Sequence, residues 1–266
     1  MRPWRRRELL RSLPAVALAP AIIGCEGKGT TIVRPPRSGL AQIRQRIEAR
    51  ATTDGAGATL HRVFPGPALA NLDPFVLLDD FDVRVPAGFP EHPHRGFEAF
   101  TYMIDGAFEH ADSMGNVSSI AAGGIQRFNS GAGARHSEMP GTPGSNRGLQ
   151  LWVNLEASRK SMAPEYEGIA GRDMPVREAN GLRVRTIAGG DSPVALHTEV
   201  DYLDVELLAD ASFEREVSTA HDGLLYVLAG EITIGDEHVA ARTAAKQDVI
   251  EAVRLRRQAE ADVYVL

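Results

Sequence analysis

The sequence predicts an all-β protein of barrel or sandwich type, and two observations carry that expectation. From Ala58 to about Leu155, short apolar runs such as Phe75–Leu78, Ala99–Ile104 and Leu149–Leu155 alternate with the turn signals Asp105-Gly106, Met114-Gly115-Asn116 and Gly123-Gly124. Many short strands separated by glycine-rich turns are the signature of barrels and sandwiches. From Leu182 a second set of runs repeats the pattern, at Leu182–Ile187, Tyr202–Leu208 and Leu224–Leu228. A length of 266 residues suits one large or two small domains.

Taken in order, the chain opens on Met1-Arg-Pro-Trp-Arg-Arg-Arg-Glu-Leu-Leu-Arg11, a basic stretch followed by a modest apolar run from Leu13 to Ile23. That is a signal-peptide pattern and is too short and too Pro-interrupted for a membrane span. Arg6-Arg7-Glu8-Leu9-Leu10-Arg11 resembles the twin-arginine export signal. Ile22-Ile23-Gly24-Cys25 resembles a bacterial lipoprotein box, in which Cys25 is lipidated and becomes the new N-terminus. The expectation is export, with residues 1–24 removed and the protein held at the membrane of the cell envelope through lipid on Cys25. Each motif alone is open to a chance match; their order and position argue together.

Residues 25–53 read as a tether and lead-in. Glu26–Arg37 is polar and rich in Pro and Gly. Leu40, Ile43 and Ile47, spaced three and four apart, suggest a short amphipathic helix, with a strand as the rival. The first domain is expected at 54–166. Ser158–Asn180, broken by Pro164 and Pro175, looks like a connection, with the linker proper at 167–181 and the second domain at 182–266. His221 and His238, isolated in that second half, read as solvated loop residues.

Composition excludes some chemistries. Cys25 is the only cysteine, so neither an internal disulfide nor a multi-cysteine metal site can form. The formal charge is −6, and loss of Arg2, Arg5, Arg6, Arg7 and Arg11 together with Glu8 takes it to −10. A chain that acidic is a poor partner for nucleic-acid phosphates.

The candidate chemistry lies in two short motifs, Phe89-Pro-Glu-His-Pro-His-Arg-Gly-Phe-Glu98 and Gly131-Ala-Gly-Ala-Arg-His-Ser-Glu-Met-Pro140. Each holds two possible metal ligands one residue apart: His92 with His94, and His136 with Glu138. Residues i and i+2 of a strand share a face, and Pro93 disfavours a helix there. Two such strands side by side would converge three imidazoles and a carboxylate, a plausible shell for a divalent transition metal. The rival reading is four ordinary surface or core side chains.

The runs FPEHPHRGFEAFTYMIDG, HADSMGN, SGAGARHSEMP and RGLQLWVNL, with DGAGATLHRVFPGPALANLDPFVLLDDF upstream, strongly resemble the pirin family of bicupins over about Asp54 to Tyr166. The resemblance implies two tandem cupin barrels of jelly-roll type. It also implies one metal, Fe(II) first among Mn, Ni, Cu and Zn, bound in the N-terminal barrel by His92, His94, His136 and Glu138. The second barrel, without a His-x-His or His-x-Glu, is expected to be metal-free. Arg95 and Glu98 are candidates for orienting the ligand rings, or equally for a salt bridge at the barrel rim. His110 is expected in a hairpin loop with a structural role. Two departures from the family pattern stand out: Arg127 replaces a bulky apolar residue and could alter the pocket wall, and the chain stops at Leu266 where pirins continue into a tail, so the second barrel is expected to be shortened.

Some pirins resemble quercetin dioxygenases in activity. That implies an aromatic, flavonol-like substrate and dioxygen as partners, with Glu138 both ligand and catalytic base. Others act as redox-sensitive proteins that bind protein partners, which implies a non-catalytic iron-binding protein of the envelope. A closed structural zinc site is the third reading.

Overall fold

A computed structural model of the chain describes residues 43–208, 211–216, 223–247, 252–257 and 261–265. The signal-like segment, the twin-arginine motif, Cys25, Leu40 and His221 lie outside the described residues. No helix among the described residues is long and apolar enough to cross a membrane.

The described chain is almost wholly strand. Its first half comprises β1 (Ile43–Glu48), β2 (Arg50–Asp54), β3 (Ala58–Phe64), β4 (Phe75–Val83), β5 (Phe89–His94) and β6 (Phe97–Asp105), then β7 (Ala107–Asp112), β8 (Val117–Ala121), β9 (Ile125–Asn129), β10 (Ala134–Pro140), β11 (Asn146–Asn154) and β12 (Glu165–Ile169). Its second half comprises β13 (Val176–Ala179), β14 (Leu182–Ala188), β15 (Tyr202–Leu207), β16 (Ser212–Glu216) and β17 (Gly223–Ala229), then β18 (Glu231–Ile234), β19 (Glu237–Ala240), β20 (Thr243–Gln247), β21 (Ala252–Arg257) and β22 (Ala261–Val265). Each half pairs a seven-stranded sheet with a four-stranded one. The orders are β12-β9-β6-β11-β4-β3-β2 with β5-β10-β7-β8, and β1-β20-β17-β22-β15-β14-β13 with β16-β21-β18-β19. These are two tandem cupin barrels.

The stretch 167–181 carries the end of β12, a 3₁₀ turn at Gly171–Asp173 and β13. Of the two readings of the lead-in, helix or strand, Ile43–Glu48 takes the strand: β1 joins the second half's sheet by pairing with β20. Its register shifts between Ile43 and Gln45. That irregularity lets Ile43 pack inside the second barrel while Ile47 is buried between the two large sheets. Ile43 and Ile47, four apart, thus sit on a bulged strand, which breaks strict alternation. His238 lies in β19 and not in a loop, and is exposed.

The largest apolar cluster lies between the two large sheets. Phe100 and Tyr102 of β6 and Leu149, Leu151 and Val153 of β11 meet Tyr202, Leu224, Tyr226 and Leu228 from the second half. The intervening residues of β6 face inward: Ala99 and Met103 belong to separate interior clusters of the first barrel. A strand covered on both faces has no polar alternation, which is why Ala99–Ile104 reads as one continuous apolar run. At one end of the first barrel, Phe81 and Phe108 stack with centroids 4.8 Å apart. Burying each such ring contributes roughly 1.5–3 kcal/mol. The other end is where the polar residues collect.

Candidate metal centre

Strands β5 and β10 are antiparallel neighbours, with His136 opposite His92 and Ala134 opposite His94. Alternation puts His92, His94 and His136 on the barrel-facing side, as the one-residue spacing predicts. Their ring nitrogens come together, with one atom from each within 4.8 Å of the others. His92 Nε2 and His94 Nε2 are 2.9 Å apart. The turn leading into β10 requires glycine: Gly131 has φ +41°, and a Cβ there would sit 2.3 Å from the Met162 carbonyl oxygen.

The residues fit a metal. His92 Nδ1 lies 2.8 Å from the Pro90 carbonyl and so carries the hydrogen, leaving Nε2 as the lone pair. Both ring nitrogens of His136 are buried without a partner. Burial, then the neighbouring His136 and His92, push the His94 pKa down to about 3, against the pull of Glu138. Burial, then His92 and His110, push His136 down to about 3 as well. Both rings are therefore neutral at ordinary pH, the form a metal ligand must have.

Glu138 shares the barrel interior but is outside the histidine cluster. One carboxylate oxygen accepts from Thr101 Oγ1 at 2.5 Å and from Gln126 Nε2, and the other accepts from Gln150 Nε2 at 2.8 Å. Thr101, Gln126 and Gln150 come from β6, β9 and β11, across the barrel from β10. Sequence reasoning missed all three. Their signal was a polar residue at an inward position of an otherwise apolar strand, as in Leu149-Gln150-Leu151.

The remaining walls are aromatic. Phe97 stacks on Trp152 at 4.4 Å, Trp152 meets His94 edge-on at 4.9 Å, and Phe128 stacks on His136 at 4.3 Å. Trp152 Nε1 is buried without a partner.

Three expectations are corrected. Glu98 does not reach the ligand rings. It lies on the opposite face of β6 and pairs with Arg127 at 2.8 Å, both side chains buried, so its salt bridge is internal and not at the rim. Arg127 does not line the pocket. Gln126 and Phe128 face inward, and Arg127 between them points out to Glu98, Glu165 and Glu167. His110 is not in a loop but in β7, buried, with Nε2 3.1 Å from Asp112 Oδ2 and its ring stacked on Tyr166. Arg95 is exposed.

Comparison with known proteins agrees with this geometry. The family model described as Pirin matches residues 57–153. A pirin-like protein of Solanum lycopersicum is 41% identical over 72% of this chain and 67% of its own length. A Pseudomonas aeruginosa protein described as a candidate quercetin 2,3-dioxygenase is 40% identical over 80% of this chain and 81% of its own. Among solved structures, a quercetin 2,3-dioxygenase from Acinetobacter baumannii superposes with a TM-score of 0.78 at 25% identity, covering 85% of this chain and 86% of that one. A bacterial pirin from Escherichia coli in complex with nickel(II) shares the fold, with a TM-score of 0.70 at 20% identity over 83% of this chain and 96% of its own.

Proposed function

The chain belongs to the pirin family, and from that premise we propose that it is a metal-dependent dioxygenase acting on a flavonol-type substrate. The observation that carries this reading is the convergence of three imidazoles, two of them forced neutral, inside a barrel end walled by Phe97, Trp152 and Phe128. Such a wall suits a flat aromatic ligand. The likeness to proteins described as quercetin 2,3-dioxygenases supports the same substrate class.

His92, His94 and His136 would hold the metal, with Glu138 as the fourth ligand. The mixed nitrogen and oxygen set suits Fe(II), Mn(II), Ni(II) or Cu(II), and nickel(II) is bound by one pirin of this fold. A metal held there supplies Lewis acidity and, where redox-active, access to dioxygen chemistry. The chain's own part is to bind and orient. The aromatic residues exclude water, and Thr101, Gln126 and Gln150 fix the carboxylate. In this reading Glu138 also takes the substrate hydroxyl proton. Oxygen uptake by protein loaded in turn with each of the four metals, against a panel of flavonols, tests the proposal. Uptake with at least one metal and flavonol is expected. None with any pair would overturn it in favour of a non-catalytic metal-binding protein.

Residues 1–25 support a separate proposal, export and lipid attachment at Cys25. Its test is fractionation: Cys25→Ser should release the protein from membranes or leave its N-terminus unprocessed. Wild-type protein that is soluble and N-terminally intact would overturn it.

A further inference from the structure

A third pair with the same one-residue spacing stands on the strand beside the two metal pairs. β10 lies between β5 and β7, and its register places Asp112 opposite His136 and His110 opposite Glu138. His110 and Asp112 therefore face the same interior as the histidine cluster. Both side chains are fully buried, with His110 Nε2 3.1 Å from Asp112 Oδ2.

Which nitrogen of His110 carries the hydrogen follows from that partner. Asp112 is an acceptor in every other hydrogen bond it makes: Oδ1 accepts from the backbone N–H groups of Met114 and Asn116 at 2.9 and 3.0 Å, and Oδ2 accepts from Asn116 Nδ2 at 2.8 Å. An ionised carboxylate only accepts, so Nε2 carries the hydrogen. In the neutral imidazole Nδ1 is then a bare acceptor, and it is buried with no partner. The ring is held in place: Tyr166 stacks on it at 4.0 Å and 16°, and His136 and Phe128 lie 5.4 and 5.6 Å away. A buried acceptor with no donor costs about 1–3 kcal/mol, so a fixed one beside the site calls for a partner from outside the chain.

The geometry points to His110 as the residue that accepts a hydrogen bond from a hydroxyl of the ligand seated beside the three imidazoles. For the identity of that ligand the inference rests on the flavonol reading. Its role is to bind and orient, separate from the proton transfer assigned to Glu138, whose oxygens already take three donors from the chain.

The test uses the full chain loaded with zinc, which is diamagnetic and keeps the ligand unreacted, and quercetin as the probe. His110→Gln keeps a donor for Asp112 and removes the acceptor at the Nδ1 position; His110→Phe keeps the stacking on Tyr166. Both should weaken quercetin binding about tenfold while metal content stays at one per chain. In the wild type, ¹⁵N NMR should show His110 as the Nε2–H tautomer, with its Nδ1 resonance moving when quercetin is added. That measurement stands even if a variant fails to fold. Wild-type binding that both variants match, an Nδ1–H tautomer, or an Nδ1 resonance indifferent to quercetin would overturn the assignment and leave water as the partner. Failure of the wild type to bind quercetin at all would instead overturn the flavonol reading, and this assignment with it.

Discussion

The two barrels share one strand order and differ in what fills them. In the four-stranded sheet of the first, β7 sends His110 and Asp112 inward beside the histidines of β5 and β10. In the matching place of the second, β18 sends Ile232 and Ile234 inward, against Phe213, Leu225 and Val227. The first interior is split, with an aromatic and aliphatic cluster at one end and polar side chains at the other; among the described residues the second shows one apolar cluster. A cupin barrel can thus be a site or a support, and the choice rests on a few inward positions of the small sheet. The described interior of the second barrel is given to packing. The polar barrel keeps buried imidazoles whose burial is unfavourable and which a bound metal would satisfy.

The largest effect should come from removing a ligand. The protein should hold one metal per chain, and His136→Ala or His92→Ala should each lose most of it, because two imidazoles remain of a cluster that draws three together. Elemental analysis of the purified chains reads this directly. A second full equivalent that survives both substitutions would place metal in the other half and break the contrast between the barrels.

Next in size is Glu138→Gln. The substitution keeps the shape and one oxygen acceptor but sets an amide against the donors of Gln126, Gln150 and Thr101. Some metal should remain on the three histidines, less tightly. Flavonol turnover per bound metal should fall by the factor a positioned general base contributes, roughly 10²–10⁴. An unchanged rate per metal would remove the base role while leaving the histidine cluster intact.

How much of this was legible beforehand varies by residue, for physical reasons. The histidine cluster was legible because strand alternation is a local rule: His92, Pro93 and His94 carry it in three consecutive residues. The same rule applied to His110-Ala111-Asp112 would have found the third pair, but the following Ser113-Met-Gly-Asn116 turn drew His110 into a loop that begins three residues later. Arg127 was misplaced because a continuous run, Ile125 to Asn129, hides which face each residue takes until its partners on β6 and β12 are known. The donors to Glu138 showed only as polar residues within apolar runs, with nothing local to tie them to Glu138. Thr101, Gln126 and Gln150 come from three strands, and only closure of the barrel brings them to one carboxylate.

Acid should separate the barrels more gently. His94 and His136 have folded pKa values of about 3 in the metal-free protein, against about 6.5 unfolded. Between those values the unfolded chain binds more protons than the native one. Stability therefore rises with pH across that window, is complete above about 6.5, and is lost as pH falls toward 3. The loss should start where those imidazoles are. In metal-free protein moved from pH 7 to pH 4.5, amides of β5 and β10 should lose hydrogen-exchange protection before those of β15 and β17. Simultaneous loss in both halves would show that the barrels open as one unit.

The smallest effect tests the join between the two halves. Tyr102 leaves β6 on the face away from the metal centre, and its hydroxyl donates to Asp204 Oδ2 of β15 at 2.5 Å, with both residues buried. Burial, then the charge of Asp204, raise the Tyr102 pKa, so the phenol remains a donor throughout the working range. Tyr102→Phe removes one donor from a buried carboxylate while keeping the ring in the cluster between the sheets. The cost should be about 1–3 kcal/mol, towards the lower end because Asp204 has other interactions. For a chain of this size each kcal/mol lowers the melting temperature by roughly 2–4 °C. Metal content should not change, since Thr101, the neighbouring residue that bonds Glu138, faces the other way. A variant that melts as expected and keeps its metal supports two interiors that share only a wall. One that loses metal would show that the supporting barrel reaches the site through β6.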